Sequence, residues 1–527
     1  TIKNIHANSI STDSKGGFAL VRKQSQLHLS STTIHDCFAR KSGGTIHAQE
    51  ASIITMLKTL TTKSYSDGVG GTVALYEGSR LLGDGATIFR NTTAAEKGGG
   101  IYLDGTNVTV QGIEIDGASS LLGAGLYADG TKTKLQNMKI KNCKATNGGG
   151  GLYATAGAQL NILETYIDTS RSTIGGGLYV TENSIVHGER VFLRNNTADR
   201  GGGSMVDKKS TIYLTASIIY GNFAKEGAGI CLTEGGVGDF KENTQFIRNK
   251  ASKQGGGLMV VTESSARLQN SEMYENSGFY GGAIYVDGCD IYLITVKINY
   301  NTVANGGYGG GLFIAKNGNA QVLKGTVFEG NSATKGGAGY IEYGSLFYLD
   351  NSKLHANKAV YDGGGLFVND ALALLYKSTI SNNEAVDEGG GVNVQNGGNL
   401  TATETTFFGN NVGGQEETGS GIGSVAVLGR STSVQILECD FYDNKALNIG
   451  GLYATEAKVH IEASRFYDNE AKEGAGLVLD RTSNGMSYIS NSKFYRNKAR
   501  EDGGGAIIRG EVKAKIENCE FGPDNEA

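Results

Sequence analysis

The sequence predicts an all-β fold: a single-stranded right-handed parallel β-helix of about 19–20 coils, each of about 27 residues. Three observations carry that prediction. First, a cluster of small residues, mostly glycine, precedes an aliphatic, often an aromatic, then another aliphatic residue. It reads KGGGIYLDG at 97–105 and returns as GGGGLYATA at 148–156, GGGLYVTEN at 175–183, GGAIYVDG at 281–288, GGGLFVND at 363–370 and GGLYATEA at 450–457. The residue after the cluster marks each coil, from Phe18 through Thr45, Thr72, Ile101, Tyr340 and Ser424 to Ala506. Second, a hydrophobic-x-x-Asn-x-small motif precedes the glycines in constant phase, as in FIRNKA, FEGNSA, FYDNKA and FYRNKA. Third, apolar residues alternate with period two between Gly, Asn, Asp and Ser, and no stretch holds a 3.6-residue period for ten residues.

Each repeat parses into three short extended pieces. The first follows the glycines, as at 178–180. The second alternates, with Val459, Ile461 and Ala463 on one face. The third is the Phe-x-x-Asn piece. Stacked at the inter-strand spacing of about 4.8 Å, such coils bury together what none buries alone. The division expected is one continuous β-helix over 1–527, with less regular coils over 1–75, regular coils over 76–527 and an insertion near 411–422.

The motif residues acquire physical roles from this. The Phe side chains, among them Phe246, Phe328, Phe441, Phe466 and Phe494, stack inside. The asparagines form a ladder at a corner: Asn249, Asn276, Asn331, Asn357, Asn383, Asn444, Asn469 and Asn497. There each amide can bond to the next coil, and Asn tolerates left-handed backbone. The glycines serve a tight corner, where positive φ or close inter-coil approach excludes a Cβ.

Composition narrows the function classes. Glycine is 81 of 527 residues and clustered, which excludes collagen, and proline appears once. Apolar residues are 39 % and recur in register, which argues against disorder. The net charge of −5 has no basic stripe, so nucleic acid is not an expected partner. No apolar run has membrane-spanning length, so no direct membrane insertion is expected. The chain starts with Thr inside one repeat and stops inside another, which reads as a piece of a longer protein.

The phased Phe-x-x-Asn and Gly-Gly-Ala-Ile repeats, the latter at 281–284, resemble the passenger region of chlamydial polymorphic outer-membrane proteins over roughly residues 85–525. This chain mostly has a third Gly where that family often has Ala. The resemblance implies a right-handed parallel β-helix of pectin-lyase-like type, with an extracellular adhesive or surface-coat role and no enzymatic activity.

β-Helices also host polysaccharide lyases and hydrolases, and glycoside hydrolysis needs carboxylates converging within about 5–9.5 Å. The best aligned pair is Asp104 and Asp129, each followed by Gly and readable as a turn former. Asp443 and Asp468 align with Arg496, a charge ladder on a solvated face. Among seven scattered His residues, His6 and His35 share an offset without a third ligand, so neither metal nor cofactor is expected. The glycines lack the strand-loop-helix context of a phosphate loop.

The reading is therefore a surface or extracellular rod, structural or adhesive and non-enzymatic. Its partners are other surface proteins, glycans or copies of itself. The alternatives are a pectin-lyase-like carbohydrate-active enzyme and a repeat subunit of an extracellular filament. The binding candidates are two aromatic strips. Tyr102, Tyr127, Tyr153 and Tyr179 lie between inward-pointing aliphatics and so face outward. Tyr442, Tyr467 and Tyr495 follow the motif Phe. Either strip serves as scaffold through cross-strand pairing or as an apolar binding stripe. Of four Asn-x-Ser/Thr sequons, Asn107 and Asn399 read as loop sites open to glycosylation, and Asn91 and Asn195 as ladder members. The six cysteines occupy positions that predict no intramolecular disulfide.

Overall fold

The computed structural model describes residues 14–413, 421–481 and 486–527. His6 and most of the insertion near 411–422 lie outside the described residues. The chain divides into two compact units, Thr1–Ala266 and Arg267–Ala527.

In the first unit one coil runs through the strands Ser204–Val206, Thr211–Thr215, Ile218–Tyr220 and Phe223–Glu226. Each pairs in parallel with its counterpart on the next coil: Ile230–Leu232, Val237–Lys241, Gln245–Ile247 and Lys250–Gln254. The second unit repeats the plan. Its strands Leu366–Asn369, Leu372–Tyr376, Thr379–Ser381 and Glu384–Ala385 pair in parallel with Val392–Gln395, Asn399–Thr403, Thr406–Phe408 and Asn411–Val412. The coil thus has four strands, not three. The fourth is short and carries one inward Ala; Ala471 and Ala499, from successive fourth strands, pack with Ala475 of the glycine corner.

Register corrects several sequence assignments by one residue. Ala19, Ile46 and Val73 align with Ile101, so they, not Phe18, Thr45 and Thr72, hold the marker position. Gly339 and Val425 hold it in place of Tyr340 and Ser424. Val459 and Ile461 face the core, but Ala463 has φ +50° and lies exposed beyond the strand Lys458–Glu462. The coils before residue 75 keep the same pairing, from Ala19 opposite Ile46 onward.

Inside, Phe rings of successive coils stack. Phe407, Phe441, Phe466, Phe494 and Phe521 lie 4.5, 4.6, 4.9 and 4.9 Å apart, centroid to centroid, and within 11° of parallel. Beside them runs the asparagine ladder. Asn357 donates from its backbone N and its Nδ2 to Asn383 Oδ1, both at 3.0 Å. Asn383 Nδ2 in turn donates to Asn410 Oδ1 and to Leu354 O, each at 3.0 Å. In the second unit the ladder runs through Asn276, Asn301, Asn331, Asn357, Asn383, Asn410, Asn444, Asn469, Asn497 and Asn525. In the first unit it links Asn196, Asn222 and Asn249. One step is long in sequence: Asn410 to Asn444 spans 34 residues, against 27 for Asn383 to Asn410.

The left-handed backbone falls one residue earlier than expected. Arg248, Ala356, Asn382, Asp443, Asp468 and Arg496 have φ between +52° and +55°, while the ladder asparagines that follow them do not have positive φ. The turn is made by this preceding residue, exposed or half-buried, which frees the Asn side chain to point inward. At the glycine corner, Gly363 has φ +67°, and a Cβ on Gly364 or Gly365 would lie 2.4 Å from a carbonyl oxygen of the next coil.

All six cysteines are free. Cys37 and Cys143 occupy the row that becomes the ladder at Asn196, three residues after the inward Ile34 and Ile140.

Replacing Asn383 by Ala strips Asn357 of the acceptor for two buried donors. The expected loss is roughly 2–4 kcal/mol of unfolding free energy. Asn382→Ala, at the exposed turn, should cost less. Chemical denaturation followed by circular dichroism measures both, and equal costs would contradict the ladder's role.

Candidate functional site

The residue between the two inward aliphatics of the first strand points away from the core, as the alternation requires, yet it is not exposed. This corrects the expectation for the first aromatic strip. Tyr102, Tyr127 and Tyr179 are 7, 3 and 8 % exposed, and Tyr153 is half-buried. The cause is the corner glycine. Gly98 and Gly149, with φ +65° and +63°, fold the preceding segment back alongside the strand. That segment forms a wall of single bridges, Ser42 to Val69 to Lys97 to Leu122. Between strand and wall lies a groove, and the tyrosines fill it. Tyr102 and Tyr127 pack with Ala74, Val69, Tyr76, Leu122 and Tyr153. Their rings stack 5.8 and 5.0 Å apart, and Tyr179 closes edge-on against Tyr153. Lys97 Nζ sits 4.7 Å over the Tyr127 ring. Burial pushes the phenols upward, Tyr76 to about 12. In the second unit the corresponding strand position holds Tyr285, Phe313, Tyr340 and Phe367, stacked at 5.3, 5.2 and 5.0 Å.

Near the start of the first unit the groove is open. A cleft of about 740 Å³ is lined by Lys15, Arg40, Ser42, His47, Tyr76 and Tyr102, among others. At its base Ser42 Oγ lies 2.7 Å from His47 Nδ1, and His47 Nε2 lies 3.1 Å from Gln49 Oε1. Gln49 Nε2 donates to Glu50 Oε1 at 2.8 Å, which turns its Oε1 toward the imidazole. The imidazole therefore carries its proton on Nε2 and accepts the Ser42 hydroxyl at Nδ1. Burial lowers the His47 pKa to about 4. The sequence repeats did not single this group out. The signal was that His47 pairs with Ala74, itself opposite Tyr102, so a titratable ring lies in the same row as the groove tyrosines.

Asp104 and Asp129 are cross-strand partners within the strands Ile101–Asp116 and Leu126–Gln136, just before a register shift, and not turn residues. Tyr102 donates to Asp129 Oδ2 at 3.2 Å, and Lys97 reaches the same oxygen at 3.4 Å. Burial and the neighbouring Asp129 charge raise the Asp104 pKa. Among the described residues no group of three or more His, Cys, Asp or Glu is placed to hold a metal ion.

The second strip lies on another face. Phe408, Tyr442, Tyr467 and Tyr495 are half-exposed and stack at 5.1, 5.0 and 5.0 Å, within 13° of parallel. Arg496 forms a two-bond pair with Asp468, and Arg465 one with Asp440. Asp468 and Arg496 thus form one rung of the expected charge ladder.

The sequons also move. Asn91 and Asn195 are exposed, with φ +52° and +53°, and each precedes the ladder position held by Thr92 and Asn196. Asn107 is exposed with φ +59°. Asn399 is not in a loop: it opens the strand Asn399–Thr403, is half-buried, and accepts from Ser433 Oγ.

A sequence model of the right-handed beta helix region matches residues 77–244, 176–354, 340–485 and 376–525. The chain belongs to the right-handed β-helix family. Curated protein sequences give no match. Among solved structures, one similar chain is the catalytic domain of a GH87 α-1,3-glucanase in complex with nigerose. It is 11 % identical, with a TM-score of 0.14, over 96 % of this chain and 64 % of that chain's length. No helix is long and apolar enough to cross a membrane, among the described residues.

Two predictions follow from the groove and the turns. His47 is held neutral when folded, with a pKa near 4 against 6.5 for the unfolded chain. Stability is then full above pH 6.5 and falls as the pH drops toward 4, by on the order of 3 kcal/mol. His47→Gln should flatten that dependence in pH-resolved denaturation; an unchanged slope assigns it elsewhere. On passage through a eukaryotic secretory pathway, glycopeptide mass spectrometry should find Asn91, Asn107 and Asn195 occupied ahead of Asn399.

Proposed function

We propose that this β-helix works at the cell surface or outside the cell as a structural and adhesive protein, binding other surface proteins, glycans or its own copies without turning them over. The Phe-x-x-Asn and Gly-Gly-Ala-Ile repeats support a kinship with the polymorphic outer-membrane protein passengers. The observation that carries the adhesive reading is the half-exposed row Phe408, Tyr442, Tyr467 and Tyr495. Stacking consumes the ring faces and leaves ring edges and phenol oxygens outward, repeated at one coil spacing. Such a row offers the same contact several times to an extended partner, and repeated weak contacts add as avidity. The first strip supports scaffolding instead, because its rings are packed in the groove.

A second reading, a carbohydrate-active enzyme, is favoured by the paired Asp104 and Asp129 beside the open cleft. Burial and the neighbouring charge raise the pKa of Asp104, as a general acid requires, and Asp129 lies beside Lys97. Asp104→Asn and Asp129→Asn should each abolish any depolymerisation of plant or microbial polysaccharides. If the wild-type protein releases no product from them, this reading falls.

For the adhesive reading, the double change Tyr442→Ser and Tyr467→Ser should reduce attachment to cell or glycan-coated surfaces at least tenfold with the β-sheet circular dichroism retained. Tyr127→Ser, by contrast, should chiefly destabilise the first unit, by about 3 kcal/mol. Undiminished attachment of the double variant would refute the adhesive role of the row.

A further inference from the structure

Two neighbouring strands of the second unit are apolar on both faces. Leu346–Asp350 reads LFYLD and Leu372–Tyr376 reads LALLY. Phe347, Leu349, Ala373 and Leu375 point inward and are buried. Leu346, Tyr348, Leu372, Leu374 and Tyr376 point outward and remain partly exposed. In a later coil the same outward places carry Lys458, His460 and Glu462, the polar face that a sheet shows to water. A parallel strand with apolar residues on both sides is the mark of a sheet covered on both faces. Register makes the two strands one surface, with Leu346 beside Leu372 and Tyr348 beside Leu374. Tyr343, 56 % exposed, stands at its edge.

The coils around this surface indicate what covers it. Asn319, Gln321 and Leu323 precede it, and Asp290, Tyr292 and Ile294 come before those. Asn399, Thr401 and Thr403 follow, then Ser433, Gln435 and Leu437. A two-fold axis parallel to the strands, midway between Leu346–Asp350 and Leu372–Tyr376, lays this face on a second copy with the order of coils reversed. Leu346 then meets Leu372 of the second copy, Tyr348 meets Leu374, and Ile294 meets Leu437. Tyr376 brings a phenol to Asp350. The left-handed turn after the strand sets Lys324, φ +54°, opposite Glu404, φ +48°. The turn before it sets Tyr343, φ +52°, opposite Asp370, φ +49°. Neither Lys324 nor Asp370 takes part in an ion pair among the described residues. None of these pairings joins like charges. An axis along the stacking direction would instead set each coil on itself and press Asp350 on Leu346. The six strands with their flanking turns measure about 29 Å by about 23 Å at the usual rise and spacing, roughly 670 Å² before side-chain relief is added. A stable interface takes about 800 Å² from each partner.

We propose that this face is a homodimer interface, in which two copies of the chain pack sheet to sheet about that two-fold with Leu346–Asp350 and Leu372–Tyr376 at the centre. The inference rests on the adhesive reading for the kind of partner. It gives the chain's own copies a face separate from the aromatic row, which lies on the third strand of its coils.

The test is sedimentation velocity on the whole chain, from about 1 to about 100 μM. The wild-type chain should sediment at twice the mass of one copy. Leu374→Glu buries a charge against Tyr348 of the second copy and should raise the dissociation constant at least tenfold with unchanged circular dichroism. Lys324→Glu sets two carboxylates together and should also weaken the dimer at least tenfold. Adding Glu404→Lys to it restores opposite charges across the interface and should bring the constant back to within threefold of wild type. Within one chain the two positions stand three coils apart, about 14 Å, so the rescue has to come from the second copy. If Leu374→Glu does not fold, the charge swap decides alone, and its failure to restore the dimer overturns the two-fold. A wild-type chain that stays monomeric throughout overturns the interface, as does a dimer that the folded Leu374→Glu and Lys324→Glu variants leave intact. A monomeric wild type whose Leu374→Glu form loses attachment gives the face to a foreign partner and overturns the homodimer. The Tyr442→Ser, Tyr467→Ser variant should remain dimeric. If the wild type is monomeric and that variant loses attachment, the interface falls and the adhesive reading stands. If the dimer responds as stated and that variant attaches normally, the interface stands and the adhesive role of the row does not.

Discussion

From Asn301 to Asn497 each ladder asparagine oxygen accepts two N–H groups from the coil before it, and each ladder amide donates both to a carbonyl of an earlier coil and to the next asparagine. All of these atoms are buried, so an unmet bond costs the full desolvation of a polar group. The geometry is satisfied at one vertical spacing and one register only. Once that register is set, everything that lies a constant number of residues from the asparagine is set too. The Phe three residues earlier stacks on its counterpart, and the aromatic that follows the Phe falls into its own row. The groove depends on the same condition, because its wall and its floor come from opposite sides of the glycine corner.

Much of this was legible in the sequence because the repeat is a direct print of the coil. The Phe and Asn motifs state which residues recur in space, and the inward Phe246, Phe441 and Phe494 follow from spacing alone. The fourth strand was not legible: one Ala between charged residues carries no alternation to read. The one-residue errors have two causes of opposite sign: at Thr72 and Ser424 a hydroxyl residue takes the last small place of the corner, so the count stops one residue early, and at Tyr340 it runs one residue late. Counting from the last small residue works only where glycine never enters the strand itself, and Gly339 does enter it.

The candidate sites were less legible, and the reason is that alternation reports direction, not exposure. Tyr127 does point away from the core, as the period of two requires. Whether an outward ring meets water depends on a wall that arrives from the other side of a positive-φ glycine, which no count along the strand reveals. The sequons at Asn91 and Asn195 show the complementary error. Two adjacent positions, one exposed in the left-handed region and one buried, can both be asparagine, as at Asn195 and Asn196, and only register separates them. The group of Ser42, His47 and Gln49 stood outside the motifs, since its coil shares the register but not the glycine-aromatic pattern.

The long step from Asn410 to Asn444 carries a separate consequence. Seven or so additional residues enter between two rungs, yet the asparagine bond at 3.0 Å and the pairing of Val392 with Val425 are those of any other coil. Closing 34 residues in place of 27 adds only roughly 0.2 kcal/mol of loop entropy, because that cost grows with the logarithm of length. The turn between the fourth strand and the glycine corner is thus a place where contour length and axial rise are decoupled. A coil can take on a foreign segment there, natural or engineered, and hand the same template to its neighbour, so novelty can accumulate sideways on the molecule without altering what is stacked along it.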